Sequence, residues 1–355
     1  MAGGQGSTPP DLLPRYLAAA WAVLTVYGSL YPFSGWLVAG NEPFAFLTLP
    51  WPRYWTAFDL IANVVVYLPL GFFATLALRR LPGRWTAPLL ATLLGFLLSF
   101  AMESLQAWLP ARISSNVDLG CNSLGSLLGS LLAAWIGPQV RPFWKTWRPR
   151  LIAPLPHADL GLTLLGLWLL TLLSPETLLF GTGDLRQLLG GLPTLSYAPE
   201  TLRLAETAVV TSHFLAVGLF AGALTRGRWL AYLLVPLFFL AAALVRSLGA
   251  ALLAGPANFL DWLTPGVVQG LQTGALTLLP LLLLPPPGRL MLAALALLAG
   301  TILVNLTPLD PYAPTALTLW HRGHFLNFNG LTRWISIVWP FLALPYLILV
   351  GRRRQ

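Results

Sequence analysis

LGFLLSFAMESLQAWLPARISSNVDLGCNSLGSLLG, residues 94–129, is apolar enough on either side of its middle to cross a bilayer, yet it carries Glu103, Gln106, Arg112, Asp118 and Asn122. A charged side chain costs roughly 2.5–3.5 kcal/mol at the centre of a membrane helix on insertion scales, and less near the interface. Such residues therefore face a protein or water-filled interior and mark a site. The stretch reads as two spanning helices joined by a short polar loop, and it sets the fold class for the whole chain.

Working outward, 56% of the 355 residues are hydrophobic and only 9% are charged, with a mean hydropathy of +0.72. This is an all-α polytopic transmembrane bundle. The polar connections 137–157 and 175–205 are too short for a soluble domain, which needs about 50 residues or more. The formal charge of +9 would suggest a nucleic-acid partner in a soluble protein. Here the basic residues stand in short loops, where they set topology, so the anionic partner is the membrane surface and no nucleic acid is expected. Cys121 is the only cysteine, which excludes an intramolecular disulfide.

Runs of roughly 17–25 apolar residues span a bilayer, and about ten are read, starting near residues 15, 58, 87, 118, 159, 206, 229, 266, 289 and 332. Arg15, Arg79, Arg80, Arg84, Arg141, Lys145, Arg148, Arg150, Arg226, Arg228, Arg289, Arg352, Arg353 and Arg354 fall on one side, 14 of the 21 basic residues. By the positive-inside rule both termini are cytoplasmic. The expected organisation is a disordered tail (1–14), a first transmembrane domain (15–137), a basic cytoplasmic loop (138–157) and a second helical region (158–355). That second region reads as a degenerate parallel repeat: Asp59, Gly71-Phe72-Phe73-Ala74, Arg79 and Arg84-Trp85 return as Glu206, Gly218-Leu219-Phe220-Ala221, Arg226 and Arg228-Trp229. Chance matching in an Ala/Gly/Leu-rich chain accounts for it equally well.

In this topology Asp59, Asn63, Glu103, Gln106, Asp118 and Asn122 gather at the outward ends of the second, third and fourth helices, and Arg112 stands in the loop that joins the third to the fourth. Asp59 and Asn63 are four apart, as are Asp118 and Asn122, so each pair shares a helical face. Each Asp also suits a helix N-terminus, and each Asn suits a bond to a neighbouring helix. Glu103 lies five residues before Trp108, an interfacial anchor, and calls for a cation, a proton or a donor ligand. Arg112 is its nearest basic candidate, and an ion pair with Glu103 or Asp118 would relieve its burial. Gly125-x-x-x-Gly129, with Ser126 and Ser130, forms a small-residue packing face. His321 and His324 lack a third ligand at a recognisable spacing, so no metal and no cofactor are expected.

In their order, Tyr31-Pro32-Phe33, Asp59-x-x-x-Asn63 with Pro69-Leu70-Gly71-Phe72, Glu103-x-x-Gln106, Arg112 and Asp118-x-x-x-Asn122-x-x-Gly125 resemble the VanZ-like family of bacterial membrane proteins. They cover about residues 25 to 135. The tail from Phe325 to Arg333 also resembles the end of longer family members. The family is named for a protein associated with teicoplanin resistance. The resemblance implies a bacterial cytoplasmic membrane and a cell-envelope or glycopeptide-resistance context, and supplies no catalytic assignment. The expected function is an accessory protein whose outward-facing pocket binds the polar head of a lipid-linked or lipidated glycan or peptide, framed by Trp51, Trp55 and Trp108. A membrane-embedded enzyme using Glu103 as general acid or base, and a secondary transporter, are the alternatives.

Overall fold

A computed structural model describes residues 11–37, 42–51, 56–174, 177–190, 193–308 and 326–352. Residues 1–10 of the N-terminal tail, Trp55, His321, His324, Phe325, Arg353 and Arg354 lie outside the described residues. Among the described residues the chain is helical, in the order α1 (Leu13–Leu30), α2 (Ala57–Leu78), α3 (Thr86–Gln106), α4 (Asn116–Leu151), α5 (Ala158–Thr171), the single turn α6 (Arg186–Leu189), α7 (Pro199–Leu224), α8 (Arg228–Ala254), α9 (Pro265–Leu281), α10 (Pro286–Leu306) and α11 (Leu326–Arg352). A helix stands at each of the ten expected places. Seven of them, α2, α3, α4, α7, α8, α10 and α11, are long and apolar enough to cross a membrane. α1, α5 and α9, with 18, 14 and 17 residues, fall outside that set.

Two compact units divide the chain at Trp144 and Lys145. The first is built around close helix approaches. A methyl group at Gly125 would collide with the Val64 carbonyl, one at Gly129 with the Leu68 carbonyl, and one at Gly71 with the Ser126 carbonyl. Small residues thus let the α2 and α4 backbones touch, which is how helices gain packing energy where lipid removes the hydrophobic drive. Gly95 does the same for α3, whose backbone meets the Ser126 hydroxyl. Ile61, Val65, Leu89 and Leu93 are left exposed on α2 and α3, as suits surfaces that face lipid.

In the second unit an aromatic cluster sits within a mainly aliphatic core. Trp168 is fully buried against Phe180, Phe238 and Phe239, and Phe214 stacks on Phe239 at 3.8 Å between centroids. His213 is buried with both ring nitrogens engaged: Nδ1 donates to the Val209 carbonyl at 3.1 Å and Nε2 accepts from the Thr182 amide at 3.3 Å. Two buried arginines close helix ends. Arg246 binds the carbonyls of Leu172, Ser174 and Thr177 just past α5, and Arg289 binds those of Gly222, Leu282 and Leu284. A guanidinium suits the negative end of the helix dipole and the unpaired carbonyls found there.

The stretch 138–157, expected as a loop, is helical as far as Leu151. Its polar composition hides this, because the end is held by partners distant in sequence. Arg148 pairs with Asp159 at 2.6 Å, Arg226 binds the Pro149 carbonyl, and the Arg226 amide donates to Leu151.

Candidate functional site

Two local motifs start the helices that carry the site. Thr56 and Asp59 form a capping box at the head of α2: the Thr56 hydroxyl accepts from the Asp59 amide, and the Asp59 carboxylate accepts from the Thr56 amide at 3.1 Å and hydroxyl at 2.7 Å. The Ser115 hydroxyl does the same for α4, accepting from the amides of Val117 and Asp118. Both acids thereby stand in a first helical turn, where the dipole favours them.

Polar side chains then join α2, α3 and α4. Asn63 of α2 donates to the Asp118 carboxylate of α4 at 2.8 Å. Asn122 of α4 donates to the Ser99 hydroxyl of α3 at 3.0 Å. Glu103, only 3% exposed, accepts the Ser115 amide at 2.9 Å, so the last turn of α3 is tied to the head of α4. Glu103 and Asp118 lie close enough to feel one another electrostatically, as do Asp118 and Asp59. Asp59, Asn63 and Asp118 are half-buried, whereas Glu103, Gln106 and Asn122 are buried.

Arg112 and Gln106 turn the other way, toward α1. The guanidinium gives Nε to the Tyr31 carbonyl at 3.0 Å and Nη2 to the Gly28 carbonyl at 2.8 Å, and Gln106 donates to the Ser29 carbonyl at 2.9 Å. The expected ion pair of Arg112 with Glu103 or Asp118 does not form: no contact within 4.0 Å links them. The carbonyls at the end of α1 offer the guanidinium nearer acceptors. Burial pushes the Arg112 guanidinium below its ordinary value, while the nearby Glu103 carboxylate acts in the opposite direction.

Residues 16–137, which hold every one of these groups, match the family model described as VanZ/LLP1. This stretch is a VanZ-like domain. No curated protein and no solved structure matches the chain.

Within the VanZ-like domain the structure adds groups that sequence reading left out. Ser115 is the donor to Glu103, and its signal is the Ser115-x-x-Asp118 spacing of a helix start. Tyr67, buried on α2, neighbours Glu103 and the hydroxyls of Ser29 and Ser99, though its own hydroxyl completes no well-formed hydrogen bond. An apolar run around Tyr67 gives no sign of that role. Trp51 is exposed and Trp108 half-buried. Among the described residues no group of three or more His, Cys, Asp or Glu is placed to hold a metal ion. In the second unit, Glu206 accepts from Thr264 at 2.5 Å and Gln269 from Arg203 at 3.0 Å, so the polar groups there serve helix contacts.

Proposed function

We propose that the VanZ-like domain binds the polar head of a lipid-linked or lipidated glycan or peptide in the bacterial cytoplasmic membrane. Both termini are on the cytoplasmic side and the acid and amide cluster faces outward. The observation that carries this reading is the joining of half-buried Asp59, Asn63 and Asp118 at one end of α2 and α4, with the buried Glu103 near Asp118. Three carboxylates and two amides favour a head rich in donors, hydroxyl or ammonium groups above all. Arg112 commits two of its nitrogens to α1, which moves the balance away from phosphate or carboxylate recognition. The family context supports a role in the cell envelope, including glycopeptide resistance.

The test is native mass spectrometry of the purified protein with lipid-linked sugars and lipidated peptides. Wild type is expected to retain an amine- or hydroxyl-bearing ligand, and Asp118→Asn to lose most of that retention. Equal retention by the two proteins sinks the reading. Conversion of the ligand during incubation favours an enzyme that uses Glu103.

The second unit is read as a degenerate parallel repeat of the first. Gly71 packs on α4, two helices further on, and its counterpart Gly218 packs on Leu278 of α9, again two helices further on. The face Gly266, Gly270 and Gly274 of α9 lies on α7 as Gly125 and Gly129 of α4 lie on α2. An arginine also closes the end of the first helix in each set, Arg112 for α1 and Arg246 for α5. What the second set lacks is the acid and amide cluster.

A further inference from the structure

Head-group binding leaves one feature of the VanZ-like domain unused. A row of oxygens runs from Glu103 into the membrane along the seam of α2, α3 and α4. Ser99 comes first, fully buried one turn along α3, with Asn122 bonded to it and Tyr67 beside it. One turn further the Ser126 hydroxyl points at α3, where Gly95 leaves room for it. Ser130 follows, its hydroxyl on the Gly71 carbonyl at 3.3 Å, and Thr75 stands one turn past Gly71 on α2. Asn122 Oδ1, Ser126 Oγ and Thr75 Oγ1 have no hydrogen-bond partner within the protein, although these three residues are at most 5% exposed.

A buried polar atom without a partner costs about 1–3 kcal/mol, and native proteins satisfy nearly all of them. Three along one seam call for a common partner, and ordered water is the one that gives each oxygen a donor or an acceptor as needed. The row starts at Glu103, three residues before the end of α3, and ends at Thr75, three residues before the end of α2. Since α2 and α3 are joined by a short turn, those ends lie on opposite sides of the membrane. At about 1.5 Å per residue the row covers about 20 Å of a hydrocarbon layer about 30 Å thick. Its oxygens are strung along several turns and not gathered round a point, which suits water better than a dehydrated metal ion. A carboxylate at such depth marks ion or proton pathways.

We propose that this seam holds a file of water that conducts protons between the two faces of the membrane, with the Glu103 carboxylate as the group that takes up and releases the proton. A proton arrives from a hydronium, adds to a carboxylate oxygen and leaves to water at the other end; no bond between heavy atoms changes. The charged and titratable groups facing Glu103 are Arg112 from the following loop, Asp118 from α4 and Tyr67 from α2. The proposal shares Glu103 with the head-group site but does not require a head-group ligand, so either reading stands if the other fails.

The experiment uses the purified full-length chain in vesicles of phosphatidylethanolamine and phosphatidylglycerol that contain a pH-sensitive dye. A potassium gradient with valinomycin imposes the membrane potential, and no lipid-linked ligand is added. Wild type is expected to change the internal pH faster than protein-free vesicles. Glu103→Gln should abolish the response, and Thr75→Val and Ser126→Ala should reduce it. Thr75→Val keeps the side-chain shape and removes only the hydroxyl, and the elution profile and circular dichroism of each variant report its fold. A wild-type response no faster than that of empty vesicles overturns the proposal. So does a response in folded Thr75→Val and Ser126→Ala equal to that of wild type.

Discussion

The position of Arg112 shows how far a residue's chemistry depends on partners it does not announce. A lone arginine between two acids reads as half of an ion pair, yet its guanidinium closes the end of α1 through the carbonyls of Gly28 and Tyr31. Its removal is therefore expected to cost stability. For Arg112→Ala we expect a loss of about 1–3 kcal/mol, the cost of leaving buried acceptors unpaired, measured as the fall in thermal midpoint in detergent. Arg112→Lys should fall between the two, because an ammonium keeps the charge but cannot fork to both carbonyls. An Arg112→Ala protein as stable as wild type would show that water replaces the guanidinium there. Asp59 went the other way: its place three residues after Thr56 is a helix-start pattern, and the capping box follows from it directly. The amide pairs were legible as interhelical bonds, but not their partners, since Asp118 lies 55 residues from Asn63 and Ser99 lies 23 residues from Asn122.

At the scale of elements, glycine decides which helices approach. Gly129 and Gly120 both lie on α4, but a methyl group at Gly129 would meet the Leu68 carbonyl whereas one at Gly120 would meet nothing within 4 Å. Gly129→Ala should push α4 off α2 and lose about 1–3 kcal/mol by overpacking. Gly120→Ala should be neutral or gain up to about 1 kcal/mol from better helix propensity. Thermal unfolding of the two variants side by side checks the pair, and a Gly129→Ala protein no less stable than Gly120→Ala refutes the contact. The Gly125-x-x-x-Gly129 spacing announced a packing face but not which helix it meets. Hydropathy also placed every long helix, within three residues of its start for α2, α3, α4, α8 and α10 but six or seven residues late for α7 and α11, because lipid demands a continuous apolar run whatever the neighbours. It missed the extension of α4 to Leu151, where Arg148, Pro149 and Leu151 are held by groups from later in the chain.

For the whole molecule, the expected orientation puts the loop around Arg112 outside and the turn around Arg84 inside. Alkaline phosphatase fused after Arg112 should be active and the same enzyme fused after Arg84 inactive, since it folds only outside the cytoplasm; the reverse pattern would invert the topology and turn the cluster toward the cytosol. The amino-acid sequence by itself determined that this is a helical membrane protein, roughly where its helices lie, and that residues near 16–137 are VanZ-like, because the apolar cost of the bilayer and the order of the polar motifs are both written along the chain. Only the tertiary structure decided that Asn63 pairs with Asp118, Asn122 with Ser99 and Glu103 with Ser115 across three helices, that Arg112 and Gln106 serve α1 instead, and that a line of buried oxygens, some without a partner, continues from Glu103 to Thr75. Helix packing brings side chains and backbone carbonyls together at separations of tens of residues, and the identity of a residue fixes what it can bond, not which partner the fold delivers.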